Sequence, residues 1–176
     1  MCAHARTIQV RAHARNFRYD EHMAEEPDGL GAFAALLQVQ AVVVRKLEER
    51  LEDQRLVPIA QYDVLLELNA APGRRLRMQQ LSDRVVLSRS RVSRVVDEME
   101  RAGLVRRDPD PDDRRAAFAV ITEDGRAALR KAAPVYLQGI EREFLSHLTS
   151  AERRSLERAL RKVLDAQRGE VGPDAP

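Results

Sequence analysis

Residues 77–129 read RMQQLSDRVVLSRSRVSRVVDEMERAGLVRRDPDPDDRRAAFAVITEDGRAAL. Met78, Leu81 and Val85 fall on one side of a short helix at three- and four-residue steps. Ser88 is a predicted N-cap for a second helix, its hydroxyl placed to accept from a free backbone N–H. In that helix Val92, Val95, Val96 and Met99 form one stripe. Gly103 stands at the C′ position, where the left-handed conformation costs glycine little. Leu104 to Arg107 and Ala116 to Ile121 are short predicted strands, separated by a charged loop that carries Pro109 and Pro111. Helix, turn, helix, strand, loop, strand is the order of parts in a winged helix-turn-helix. Such a unit presents one helix to a major groove of DNA and one loop to the neighbouring minor groove. The predicted fold class is mainly α with a small β-hairpin wing (α+β).

Outward from this unit the chain is helical. Leu30, Phe33, Leu37, Ala41, Val44, Leu47 and Leu51 predict a long helix. Val39, Val42 and Val43 widen its apolar surface beyond one stripe, as a core helix or a subunit interface would need. Pro58 suits the first turn of a helix reaching about Asn69, with Ile59, Tyr62, Leu65, Leu66 and Leu68 expected inside. Ala71-Pro72-Gly73 stops it, and a very short strand is expected around Leu76. Thr122 should cap a helix running to about Leu148, which Pro134 should bend or divide. Thr149 and Glu152 form a capping-box pattern ahead of a final helix with Leu156, Ala159, Leu160, Val163 and Leu164 on its apolar side.

The ends differ. Residues 1–22 hold three of the four histidines (His4, His13, His22), and His4-Ala5-Arg6 recurs as His13-Ala14-Arg15. Scattered histidines without apolar periodicity point to a disordered basic extension rather than a metal site; a start at Met23 is the other reading. Gly169 to Pro176 reads as a frayed tail.

Composition narrows the function classes. The 176 residues are 44% hydrophobic and 33% charged, which suits a helix-rich globular protein, and the absence of Trp leaves the core to aliphatic side chains. Net charge is only +2, so its distribution matters more than its sum. From Arg74 to Arg115 there are 12 Arg against 8 acidic residues, whereas 30–56 balances 4 against 4. Positive charge therefore gathers on the winged unit, as a phosphate-binding surface requires. Cys2 is the only cysteine, so no internal disulfide forms and no Cys/His set has zinc spacing. No apolar run approaches the roughly 18 residues of a membrane span, and no signal peptide is evident. A reducing cytoplasm is the expected compartment. No Ser/His/Asp set, phosphate-binding Gly-rich loop or paired carboxylates argue for an enzyme. His147 near a helix C-terminus is accounted for as a solvated side chain.

The predicted contacts lie on the helix from Ser88 to Ala102. Ser90, Arg94, Asp97 and Arg101 lie opposite the valines, with Arg91 flanking them. Arg can pair with guanine O6 and N7, and Ser can bond a base edge or a phosphate. The helix N-terminus adds free N–H groups and a positive dipole. Asp97, Glu98 and Glu100 are expected to pair with some of these arginines and keep the C-terminal half of the helix out of the groove. By itself an Arg-rich outer face is usually a solvated face. In the loop 108–115 the four aspartates look wrong for DNA, unless the prolines stiffen the hairpin, an Asp clamps the backbone or a neighbouring Arg, and an Arg projects from the tip. A narrow minor groove attracts Arg.

Order and spacing together make the resemblance specific. Ser90-Arg91-Val92-Ser93-Arg94, Ala102-Gly103-Leu104-Val105-Arg106-Arg107, Asp113-Arg114-Arg115-Ala116 and Ile121-Thr122-Glu123-Asp124-Gly125 resemble the MarR family of transcription regulators, with looser similarity from Leu30 to Leu164. The resemblance implies an obligate homodimer. It assigns 30–56 and 122–168 to a helical dimerisation lobe and 57–121 to the winged DNA-binding lobe. By position it carries groove or phosphate contact to Ser90, Arg91 and Arg94 and the wing arginine to Arg115, with Arg89 and Arg114 as auxiliary phosphate contacts and Asp113 positioning the wing arginine; Ser88, at the start of the same helix, is a further candidate DNA contact. It implies a near-palindromic double-stranded operator, repression more often than activation, and relief by a small-molecule effector. Some members bind aromatic ligands between the lobes, where Tyr62 could contribute, although a buried Tyr is more often core. Peroxide-sensing members carry a reactive Cys near the first helix; Cys2 lies outside the matching region, so thiol sensing is not expected. No cofactor, metal or membrane is implied. The rival to this reading is a winged-helix module for protein contact or non-specific DNA binding.

Overall fold

The structure is a computed structural model that describes residues 30–111, 113 and 116–169. The N-terminal extension, Cys2, Arg114, Arg115 and the C-terminal tail lie outside the described residues. Among the described residues six helices and three strands follow one another as α1 (Leu30–Asp53), α2 (Ile59–Ala70), β1 (Arg75–Arg77), α3 (Met78–Arg84), α4 (Arg89–Arg101), β2 (Val105–Pro109), β3 (Ala117–Ile121), α5 (Glu123–Glu143) and α6 (Ser150–Gly169), with 3-10 turns at Pro72–Arg74 and Leu145–His147. Helix and winged hairpin appear in the predicted order. The chain divides into two compact units at Val39/Gln40, within α1, and the core, the sheet and the winged hairpin all belong to the second.

The core sits where α2, α4 and α5 meet the sheet. Tyr62, Val64, Leu65 and Leu68 of α2 are buried with Leu81 of α3, Val92, Val95, Val96 and Met99 of α4, Val105 and Ile121 of the hairpin and Leu129 and Ala132 of α5. Each such aliphatic side chain contributes about 1.5–3 kcal/mol of burial. Val64 is core although the sequence pattern does not mark it, and Leu66, expected inside, is 43% exposed. The apolar run on α2 covers more than one face, so periodicity alone does not tell the two apart.

The sheet is antiparallel with β3 central, in the order β1-β3-β2. Leu76 pairs with Ala119 on the inner face, while Arg75 opposite Val120 and Arg77 opposite Phe118 carry the outer one. On the other side Val105 meets Ile121 and Asp108 meets Phe118.

Local chemistry sets the boundaries. Gly103 takes φ 72° and ends α4 in the left-handed region. Thr122 caps α5: its hydroxyl accepts from Gly125 N at 3.0 Å and lies 2.7 Å from the Gly103 carbonyl, to which it can donate. Gly125 is required by space, since a Cβ there would run into the Leu104 carbonyl. Thr149 and Glu152 form the expected capping box, with Thr149 N donating to Glu152 Oε2 at 2.7 Å and Glu152 N to Thr149 Oγ1 at 3.3 Å. The first amide of α2, Ile59 N, donates to Glu48 Oε2 of α1 at 3.3 Å.

Four expectations are corrected. Ser88 occupies the N-cap of α4 but its side chain makes no capping bond; its hydroxyl lies 3.3 Å from that of Ser90. Of the two outcomes expected at Pro134, bending or dividing, division does not occur: α5 continues to Glu143. A proline forfeits one backbone bond, and Ala132, Ala133, Val135 and Tyr136 around it are held by the core. The same helix stops before Leu148: Phe144 leaves helical geometry, and Arg153 of α6 donates to the carbonyls of Leu145 at 2.6 Å and Leu148 at 3.1 Å. Finally, α1 is long and apolar enough by length and composition to cross a membrane, with a window of mean hydropathy 1.5. Gln38 and Gln40 interrupt the apolar run without adding charge, so counting uninterrupted residues misses it.

Near the end of α1, Lys46 and Arg50 close on Glu143 of α5 at 2.6 and 2.7 Å. Their hydrogen bonds hold the Glu143 carboxyl below the ordinary carboxylate range.

Candidate nucleic-acid interface

Amphipathicity positions α4. Its valines and Met99 are fully or almost fully buried, which turns Ser88, Arg89, Ser90, Arg91, Ser93 and Arg94 to solvent. All five residues predicted on this segment are therefore exposed together at the N-terminal half of one helix. Among the described residues no ion pair engages Arg91 or Arg94. Arg94 lies back along its own helix, Nε donating to the Ser90 carbonyl at 3.4 Å. Arg89 approaches Asp83 of α3 at 3.8 Å, both exposed, a pairing weak enough to exchange for a phosphate. The first amides of the helix lack intrahelical partners and face the same way.

The C-terminal half is occupied differently. Arg107 of β2 reaches Asp97 at 2.7 Å, and its backbone N–H donates to Glu100 Oε1 at 3.1 Å. The acidic residues of α4 thus neutralise an arginine on the hairpin rather than those on their own helix. The negative charge at this end of α4 is partly offset, and α4 is fastened to the strand that leads into the wing.

Beyond β2 the wing closes on itself. Asp110 N donates to the Ala116 carbonyl at 3.2 Å, and Ala116 N to the Asp113 carbonyl at 2.9 Å. Asp113 is exposed, and its main chain closes this turn. The carboxylate of Asp110 is buried and pairs with Arg77 Nε at 2.7 Å. A groove of about 650 Å³ runs between α3, α4 and the wing, lined by Arg77, Gln79, Arg89, Ser93, Arg107 and Asp113. Arg77, Arg89 and Arg107 make its lining cationic.

Sequence reasoning missed Arg77, Arg107 and Asp110. The one available signal was parity: Arg77 alternates with the inward Leu76 and Asp110 continues the alternation of β2 by one residue, and only the register brings them together. Tyr62 lies in the core, its ring 4.4 Å from that of Tyr136. Burial, then the charge of Asp63, raises the Tyr62 hydroxyl above its ordinary pKa, so it stays protonated. A second cavity, about 610 Å³, opens beside the α1–α2 turn between Arg55, Leu56, Val57, Ala128, Arg130 and Lys131. Among the described residues no cluster of His, Cys, Asp and Glu could hold a metal.

Comparison with known proteins agrees with this geometry. The family model described as MarR family matches residues 57–116, the span from α2 into the wing. The transcriptional regulator HosA of Escherichia coli O111:H- is 30% identical over 106 residues, covering 60% of this chain and 76% of the relative. The crystal structure of AbsC, a MarR family transcriptional regulator from Streptomyces coelicolor, superposes with a TM-score of 0.75 at 31% identity, over 84% of this chain and 99% of AbsC. Sco3205, a MarR family regulator from the same organism solved in complex with DNA, gives a TM-score of 0.77 at 29% identity, over 88% of this chain and 98% of Sco3205. These relatives are transcription regulators and not enzymes. An exposed arginine-bearing α4, a hairpin wing behind it, and a match that extends beyond the winged unit into the flanking helices carry one conclusion: this chain belongs to the MarR family of transcriptional regulators.

Proposed function

We propose that the protein is a homodimeric, sequence-specific DNA-binding regulator of transcription, acting in the cytoplasm as a repressor that a small molecule releases. The carrying observation is the solvent-facing N-terminal half of α4, where Ser88, Arg89, Ser90, Arg91 and Arg94 stand clear of the buried valine stripe. Each protomer would lay this half-helix in a major groove, with Arg91 and Arg94 reading bases or phosphates and the wing, through Arg114 and Arg115, entering the adjacent minor groove. Two copies related by a two-fold axis would meet half-sites about 34 Å apart, so the operator should be a near palindrome.

Residues 57–121 supply the DNA-binding lobe on this reading, and 30–56 with 122–168 the dimerisation lobe. Support comes from apolar surface that the single chain leaves uncovered. Leu137 is 60% exposed, Val163 59% and Leu164 56%. An apolar groove of about 470 Å³ between the end of α5 and α6 is lined by Phe144, Leu148, Leu156, Leu160 and Leu164. Exposed Leu30, Phe33 and Leu37 on α1 extend the same requirement. A second copy would cover such surfaces. For the effector, the cavity beside the α1–α2 turn offers an apolar floor and three cations, Arg55, Arg130 and Lys131, which suits a small organic anion.

A salt titration with operator and random duplexes tests the DNA assignment. Binding should fall steeply with salt, the slope approaching about −0.9 per phosphate neutralised, and operator should stay preferred throughout. Equal binding of both duplexes at every salt would leave a non-specific or protein-contact module instead.

A further inference from the structure

Among the described residues Asp110 is the buried charged residue of the molecule, and it sits in the neck of the wing, between Pro109 and Pro111. Its carboxylate is 1% exposed and meets Arg77 Nε at 2.7 Å. Arg77 ends β1 and Asp110 follows β2, the two outer strands of a sheet whose centre is β3. The pair therefore spans β3 from one edge of the sheet to the other. Phe118, opposite Arg77 in the register, supplies the floor: the Arg77 guanidinium lies 5.7 Å and that of Arg75 4.6 Å from its ring centroid. Arg77 also precedes Met78, the first residue of α3, and its backbone N–H donates to Gln80 Oε1 at 3.1 Å. One side chain thus connects the entry of the helix-turn-helix to the root of the wing.

Resting on the DNA-binding reading of α4 and the wing, we propose that Arg77 and Asp110 are positioning residues for that interface: their ion pair, laid across Phe118, fixes the angle of the wing relative to α4 and so the spacing between major-groove and minor-groove contacts. A hairpin held only by two strand ladders can hinge where β2 and β3 end. A third support at the neck removes that freedom, and drawing a buried carboxylate away from a cation that it pairs with is costly. Asp110 makes no contact with nucleic acid in this arrangement. It acts through the hairpin that β2 and β3 form.

Electrostatics gives the test a sign. Asp110→Asn removes one negative charge from a DNA-facing element, so simple attraction to phosphate predicts tighter binding. The positioning role predicts the opposite: operator affinity about tenfold weaker, equivalent to about 1.4 kcal/mol, with circular dichroism and dimer mass unchanged. Hydroxyl-radical footprinting should lose the minor-groove protection given by the wing, while guanine N7 protection under α4 remains. Arg77→Lys keeps the charge but loses the planar fork over Phe118, and should fall between wild type and Asp110→Asn. In the free full-length variant Asp110→Asn, hydrogen exchange at the substituted residue's own amide and at that of Ala116 should accelerate about tenfold while α4 amides hold their rates. Tighter operator binding by Asp110→Asn, or unchanged exchange at the neck, would overturn the proposal. If wild-type protein protects no duplex at all, the DNA-binding reading falls, and the exchange measurement still decides whether the pair restrains the wing.

Discussion

α4 and α6 are both amphipathic helices, of 13 and 20 residues, yet they end up in different states. Every apolar side chain within α4 is buried by the same chain: Val92 and Val96 against the core, Val95 and Met99 beside them. α6 buries none fully, and Val163 and Leu164 remain more than half exposed. Its pattern is as regular as that of α4, so the difference lies in what each chain segment finds to pack on. α4 closes a core inside one chain and turns its polar face to solvent. α6 leaves its apolar face uncovered among the described residues, the surface on which the proposed second copy would dock. On the proposed reading, the helix with the satisfied stripe meets DNA through its other face, and the helix with the bare stripe meets a second copy through the stripe itself.

Disrupting the bare stripe should have the largest effect. The double substitution Val163→Glu/Leu164→Glu places two charges on the proposed interface, and sedimentation equilibrium should shift from dimer to monomer. Operator affinity should fall about a hundredfold or more, because two half-sites are no longer held together. A variant that stays dimeric would make α6 merely a solvated helix. Next comes the satisfied stripe. Met99→Ala empties a fully buried position and should cost about 2–5 kcal/mol in denaturant unfolding, because the sheet and α2 cannot collapse into the void. A loss below about 1 kcal/mol would show that the core is looser than the packing implies. On the opposite face of the same helix, Arg94→Ala should leave the unfolding curve in place. Operator binding should weaken by about 1–3 kcal/mol, read by fluorescence anisotropy. Equal affinity would mean that another face of the lobe meets DNA.

The smallest effect concerns a charge next to the core rather than across it. Burial, and then the neighbouring carboxylates of Glu48 and Glu67, raise the pKa of Asp63 above its ordinary value. A carboxyl with a raised folded-state pKa costs stability above that pKa, and the cost disappears as pH falls towards the unfolded value. Asp63→Asn should therefore raise the melting temperature slightly at neutral pH, with the advantage fading in acid. The Glu143 carboxyl, drawn down by Lys46 and Arg50, runs the other way: its contribution is present above the ordinary carboxylate range and is lost as pH drops through its lowered value. A thermal melt series on Glu143→Gln should converge with wild type at low pH; parallel curves would remove that carboxylate from the account.

Much of the winged unit is legible in the residues themselves. The stripe Val92, Val95, Val96, Met99 fixes which side of α4 is buried and hence that Arg91 and Arg94 face out. Gly103, Thr122 and the Thr149–Glu152 pair mark helix ends because capping depends on one or two neighbouring residues. Ser88 shows the limit of such local rules: the residue type suits a cap, but its hydroxyl approaches Ser90 instead. Leu66 shows another, since an apolar residue in an apolar run points wherever neighbouring elements leave room. The acidic half of α4 finds an arginine partner, as its composition predicts, but that partner, Arg107, comes from the next strand rather than from the helix itself.

By itself, then, the sequence determined helix periods, turn positions, the concentration of arginine on one segment and the inward side of α4, because each depends on interactions within a few residues along the chain. Only the tertiary structure decided that Arg77 crosses a sheet to Asp110, that Arg107 holds Asp97, and that Tyr62 packs on Tyr136 rather than lining an open cleft. Those pairings join residues separated by 33, 10 and 74 positions, and their existence depends on strand register and helix packing, quantities that no single segment of the chain contains.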